Sequence, residues 1–125
     1  MIEFVRVSKQ ARDQLVTIKR RTGIEHWNVI CRWAFCTSLA EPSKPREQRI
    51  VTDSAIEMTW RTFAGEQERI YESLLRHRCR LDEIELADEA IIQQFKLHLH
   101  RGISYLAGDP RATSIAGLIA KAIPS

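Results

Sequence analysis

The sequence predicts a mainly α domain in which a short N-terminal strand is followed by helices. Three observations predict it. Apolar residues recur at helical spacing over residues 9–22, 25–39 and 88–106. Ile2 to Val7 is instead rich in β-branched and aromatic residues. The chain has 125 residues, 44% hydrophobic and 28% charged, ordinary values for one globular domain.

Ile2 to Val7 reads as the strand, and Ser8 as the N-cap of the first helix. No Glu or Gln stands three residues on to complete a capping box. The first helix runs from about Lys9 to Thr22, with Ala11, Leu15, Ile18 and Thr22 on one face. Lys9, Arg12, Val16, Lys19 and Arg20 form an adjoining strip, and Gly23 suits a left-handed C-cap. A second helix is expected over Glu25 to Leu39. Trp27, Ile30, Cys31, Ala34, Phe35 and Ser38 make a broad stripe, widened further by Val29 and Trp33, so most of this helix must be covered by protein. Residues 41–49, with Pro42 and Pro45, form a loop. Glu57 to Phe63 alternates and reads as extended. A helix follows from Glu66, acidic at its start and basic at Arg76, Arg78 and Arg80. The last long helix spans about Asp88 to Leu106, with Gly102 inside it marking a close helix approach. A short apolar helix is expected over Ser114 to Ile123.

Charge is uneven. Residues 1–49 hold ten Lys/Arg against five Asp/Glu, and residues 50–125 hold nine against eleven. A basic excess in the N-terminal part suits a polyanion on one side of the molecule. The opening residues do not read as a signal peptide, and no run approaches the roughly 20 apolar residues of a spanning helix. Cytoplasmic placement without membrane contact is the expectation. Cys31, Cys36 and Cys79 lack the spacing of a zinc site or a disulfide framework and read as packing residues. His98 and His100 have no nucleophile motif beside them and read as helix-surface or capping groups. Asp82, Glu83 and Glu85 read as solvated loop charge. The five glycines, Gly23, Gly65, Gly102, Gly108 and Gly117, make no phosphate-binding loop. No cofactor and no catalytic residue are predicted.

Strand, helix, helix is the order of a ribbon-helix-helix unit, in which two chains pair their strands. Residues 1–40 would form that part and residues 57–125 a helical part of the same single domain. An unpaired strand leaves backbone polar groups open, so pairing with a second copy is the natural remedy. Neither strand face carries a row of base-reading side chains, which favours phosphate contact over direct readout. Lys19, Arg20 and Arg21 are the first candidates for DNA contact. Lys9 and Arg12 come next, then Lys44, Arg46 and Arg49 of the loop.

Several short segments, in this order, resemble the DNA sulfur-modification protein family DndE. They are Ser8 opening a helix, Lys19 to Ile24, Asn28 to Arg32, Cys36 to Leu39, Glu57 to Glu66, and His100 to Ile103 with Leu106. The resemblance implies a small, helix-rich, ribbon-helix-helix-like protein that assembles as a tetramer. It implies binding to duplex DNA, nicked duplex included, in a system that replaces a non-bridging phosphate oxygen with sulfur. The partners implied are a cysteine desulfurase, an iron–sulfur adenylating subunit (DndC-like) and a coiled-coil ATPase (DndD-like). They supply the chemistry, and this chain is expected not to be an enzyme. Two other readings compete: a ribbon-helix-helix transcriptional regulator, and a protein-only scaffold for the modification complex.

Overall fold

The computed structural model describes residues 2–109. The helix expected over Ser114 to Ile123 lies outside them. The elements are β1 (Phe4–Arg6), α1 (Lys9–Thr22), α2 (Trp27–Ala40), β2 (Glu57–Thr59), α3 (Trp60–Ala64), a 3-10 turn (Gly65–Gln67), α4 (Glu68–Leu81) and α5 (Asp88–Gly108).

α1 starts and stops as its sequence requires. The Ser8 hydroxyl accepts from the Ala11 amide at 3.1 Å. Gly23 takes φ 74° and donates its N–H to the Lys19 carbonyl. Ala11, Leu15, Ile18 and Thr22 are buried and Val16 is exposed, so the inward and outward faces are those read from the spacing. Thr22 survives in the core because its hydroxyl donates to the Ile18 carbonyl at 2.8 Å and accepts from Ile24 N–H at 3.3 Å. The missing capping-box partner comes from α5: His100 Nε2 accepts the Ser8 N–H at 3.1 Å.

The strand finds its partner in its own chain. β1 pairs antiparallel with β2, Val5 opposite Met58. The pairing continues past the strand ends, Trp60 N–H to Glu3 O at 2.8 Å and Val7 N–H to Ile56 O at 3.4 Å. The ribbon of a ribbon-helix-helix unit joins two chains. Here the ribbon is made in cis, and the backbone groups that called for a second copy are satisfied on one edge.

Residues 57–63 correct the extended reading. Only Glu57–Thr59 is strand. The Thr59 hydroxyl then accepts from Thr62 N–H at 3.1 Å and starts α3. Trp60 and Phe63, three residues apart, are buried together at helical spacing. They join Phe35, Tyr71 and Phe95 in an aromatic cluster with ring centroids 5.2–6.2 Å apart.

α5 is the axis of the domain, against which α1, α2 and α4 pack. Its closest neighbour is α2. A Cβ added at Gly102 would lie 1.7 Å from the Ala34 carbonyl oxygen, so the two backbones meet where α5 has no room for a side chain. Gly102 is the close-approach site its position in the sequence suggested.

Candidate nucleic-acid interface

The segment that follows α2, and carries Lys44, Arg46 and Arg49, is anchored at its start by a partly buried polar network. α2 ends at Ala40 without a basic residue in its last turn, so its final carbonyls need donors from elsewhere. Two arginines supply them. Arg78 of α4 donates to the carbonyls of Leu39 at 2.9 Å, Pro42 at 3.2 Å and Ser43 at 2.7 Å, and pairs with Asp82 at 2.9 Å. Arg101 of α5 donates to the Ser38 hydroxyl at 2.8 Å, to its carbonyl at 2.9 Å, and to the Ser43 carbonyl at 2.8 Å. Asp82 is therefore not solvated loop charge. It is buried as the counter-ion of Arg78.

His98 also departs from its sequence reading. It lies in the interior, with Nδ1 2.8 Å from the Ser38 hydroxyl. That hydroxyl accepts from Arg101 Nε and keeps a second lone pair and its own proton, so it can meet His98 Nδ1 in either tautomer. Burial, then the cations of Arg78 and Arg101, lower the His98 pKa to about 4. A serine beside a histidine suggests a nucleophile and its base. Here the serine is fully buried and its oxygen held by an arginine, so the pair acts as a brace. His100 keeps the capping role. Its Nδ1 donates to the Lys96 carbonyl at 2.7 Å, fixing the tautomer that accepts from Ser8, and burial lowers its pKa.

From this anchorage residues 41–56 run as a strap across α5. Ser43 sits at Arg101, while the Gln93 amide donates to the Gln48 carbonyl at 3.0 Å. Gln93, Leu97 and Arg101 share one face of α5 at four-residue spacing, and Leu97 is buried there. Lys44, Arg46 and Arg49 project from the strap, exposed and without an ion pair among the described residues.

Lys9, Arg12, Lys19 and Arg20 lie along the outer strip of α1 and Arg21 lies off it; Lys19 is half-buried and the others exposed, but they differ in freedom. Arg20 has no ion pair among the described residues. Lys9 lies 3.6 Å from Asp53 of the strap, and Arg12 3.0 Å from Asp13. Lys19 Nζ stands 4.5 Å over the Trp27 ring. Arg21 donates to the Ala107 carbonyl at 2.8 Å and so complements the negative end of α5. The eight cations thus do not form one cluster. The Lys9–Asp53 pair joins the strap to the start of α1. Lys19, Arg20 and Arg21 lie at its far end, about 16 Å along the axis from Lys9 to Arg20. Sequence reasoning missed Arg78 and Arg101, which position the strap. Only their contacts with carbonyls distant in sequence reveal that role.

The cysteines are free. Burial raises the Cys31 thiol to about 12 and lifts Cys79 and Cys36 as well, so none is an activated thiolate.

A small helical domain built around one central helix, with cations displayed on an outer helix face and a strap, defines the class of protein. The family model for the DNA sulphur modification protein DndE matches residues 5–114, and the chain belongs to that family. The family links it to DNA phosphorothioation. Among solved structures it is similar to DndE from Escherichia coli B7A, described as involved in DNA phosphorothioation modification. The TM-score is 0.71 at 27% identity, over 85% of this chain and 98% of that one. A mutant DndE, also described as involved in DNA phosphorothioation, shares the fold with a TM-score of 0.68 at 23% identity, over 87% and 100% of the two chains. No curated protein matches. Among the described residues no helix is long and apolar enough to cross a membrane.

Proposed function

We propose that the chain is a non-enzymatic, DNA-binding accessory subunit of the phosphorothioation system, holding duplex or nicked DNA by its backbone phosphates in the cytoplasm. The observation that carries this reading is the display of Arg20, Lys44, Arg46 and Arg49, exposed and without ion pairs among the described residues, on α1, whose inner face is buried, and on a strap anchored at Ser43 by two arginines. Lys9, Arg12, Lys19 and Arg21 extend the surface, each by giving up a weak partner. Phosphate neutralisation needs charge held at a position, and this arrangement supplies it. The outward residues of β1, Phe4 and Arg6, do not form a base-reading row, which disfavours the regulator reading.

The working form is a homo-oligomer, as a tetramer, acting beside DndC-like and DndD-like subunits. Its support is an apolar stripe on α4, where Ile70, Leu74 and Leu81 are exposed at spacings of four and seven residues.

The test is DNA affinity as a function of salt. Replacing Lys44, Arg46 and Arg49 together by Glu is expected to weaken binding to any duplex sequence equally. The salt slope should flatten by roughly one for each phosphate no longer neutralised. Strong discrimination between specific and scrambled duplex would favour a regulator. An unchanged affinity and slope, in this variant and in Arg20→Glu, would leave the scaffold reading.

A further inference from the structure

We propose that the open edge of β1 is a docking groove for an extended segment of another protein, one that alternates apolar and acidic side chains. This does not rest on the DNA reading.

The argument starts from strand geometry. In an antiparallel pair, alternate residues direct their N–H and C=O to one edge or the other. Glu3, Val5 and Val7 face β2 and are bonded there. Phe4 and Arg6 therefore direct their amides and carbonyls to the opposite edge, where no partner for them occurs among the described residues. A free edge of this kind is a template for another strand.

The space beside it has the right walls. A groove of about 340 Å³ is lined by the consecutive residues Ile2 to Arg6, by Thr52 of the strap and, across from β1, by Ile92, Phe95, Lys96 and Leu99 of α5. No β2 residue lines it, which places it on the open side of β1. Consecutive lining residues show that the strand's edge, rather than one face, bounds the groove. The α5 residues present an apolar floor with one cation, Lys96, which has no ion pair among the described residues. Arg6 on the near wall is half exposed, with Glu57 at 3.6 Å. An added strand would turn one set of side chains down onto Ile92, Phe95 and Leu99. The alternate set would rise beside Arg6 and Lys96. Backbone bonds would supply affinity, and this alternation the preference for apolar and acidic residues.

The probe is a blocked heptapeptide of alternating valine and glutamate, titrated into the full-length ¹⁵N-labelled protein. The expected result is slowed amide exchange at Phe4 and Arg6 with shifts along the α5 wall. The same peptide N-methylated at the residues facing β1 should bind without that protection or not at all. Lys96→Glu should weaken the unmodified peptide roughly fivefold, the size of one surface ion pair. Three results overturn the proposal. One is no change at the two amides with millimolar peptide. Another is equal binding of the N-methylated form. The third is slow exchange at both amides in the peptide-free protein with self-association in sedimentation, which would assign the edge to a second copy.

Discussion

At the residue scale, His98 shows how burial sets a proton's place. The ring is buried, with the cations of Arg78 and Arg101 near, so the folded state holds it neutral with a pKa lowered to about 4. The unfolded chain would titrate it near the ordinary histidine value. The folded pKa is the lower of the two. Its contribution is therefore fully present above about pH 6.5 and declines as pH falls toward about 4, by roughly 3 kcal/mol in all. His100 adds a loss of the same sign, because protonation removes the acceptor for Ser8. Urea unfolding measured from pH 7.5 to 4.5 should show a falling stability that is shallower in His98→Gln. An identical slope in that variant would mean that His98 is not held neutral by the fold. A capping role was open to His98 and His100 in the sequence and His100 fills it, but their partners stand 60 and 92 residues away, so neither the burial of His98 nor the cap His100 serves was legible.

At the element scale, what the sequence disclosed was whatever local spacing encodes. Both ends of α1, its buried face and its outer strip could be read because cap, period and stop signal agree. α3 could not, since Trp60 and Phe63 fit an alternating pattern until Thr59 is seen capping them. Gly102 belongs to this scale too, because it sets the separation of α2 and α5. Gly102→Ala should force the Ala34 backbone away and destabilise by about 1–3 kcal/mol or more, the range for overpacking, although alanine is the better helix former. Thermal unfolding would measure it. A variant as stable as the parent would mean that the two helices separate freely.

At the scale of the whole molecule, the sequence revealed charge asymmetry but not its distribution. It named all eight cations, yet only the fold shows that Arg21 serves α5 and that Lys9 ties the strap to α1. Assembly is decided at this scale as well. The exposed apolar stripe of Ile70, Leu74 and Leu81 on α4 suits a two-fold contact, the same patch meeting itself. Leu74→Glu with Leu81→Glu should lower the molar mass seen by light scattering while leaving the circular dichroism of the helices in place. DNA affinity should fall with it, since fewer phosphates are met per particle. An unchanged mass would move the subunit contact elsewhere.

The strap has a consequence for how this protein can change. Arg78 and Arg101 grip its start mainly by the main-chain carbonyls of Pro42 and Ser43, with one bond to the Ser43 hydroxyl. Main-chain oxygens are the same whatever side chain is attached. The anchors are thus blind to the identity of residues 44, 46 and 49. Mutation can retune the electrical character of this segment, up or down, while the scaffold stays intact, and an engineer could graft a different recognition sequence there by the same route.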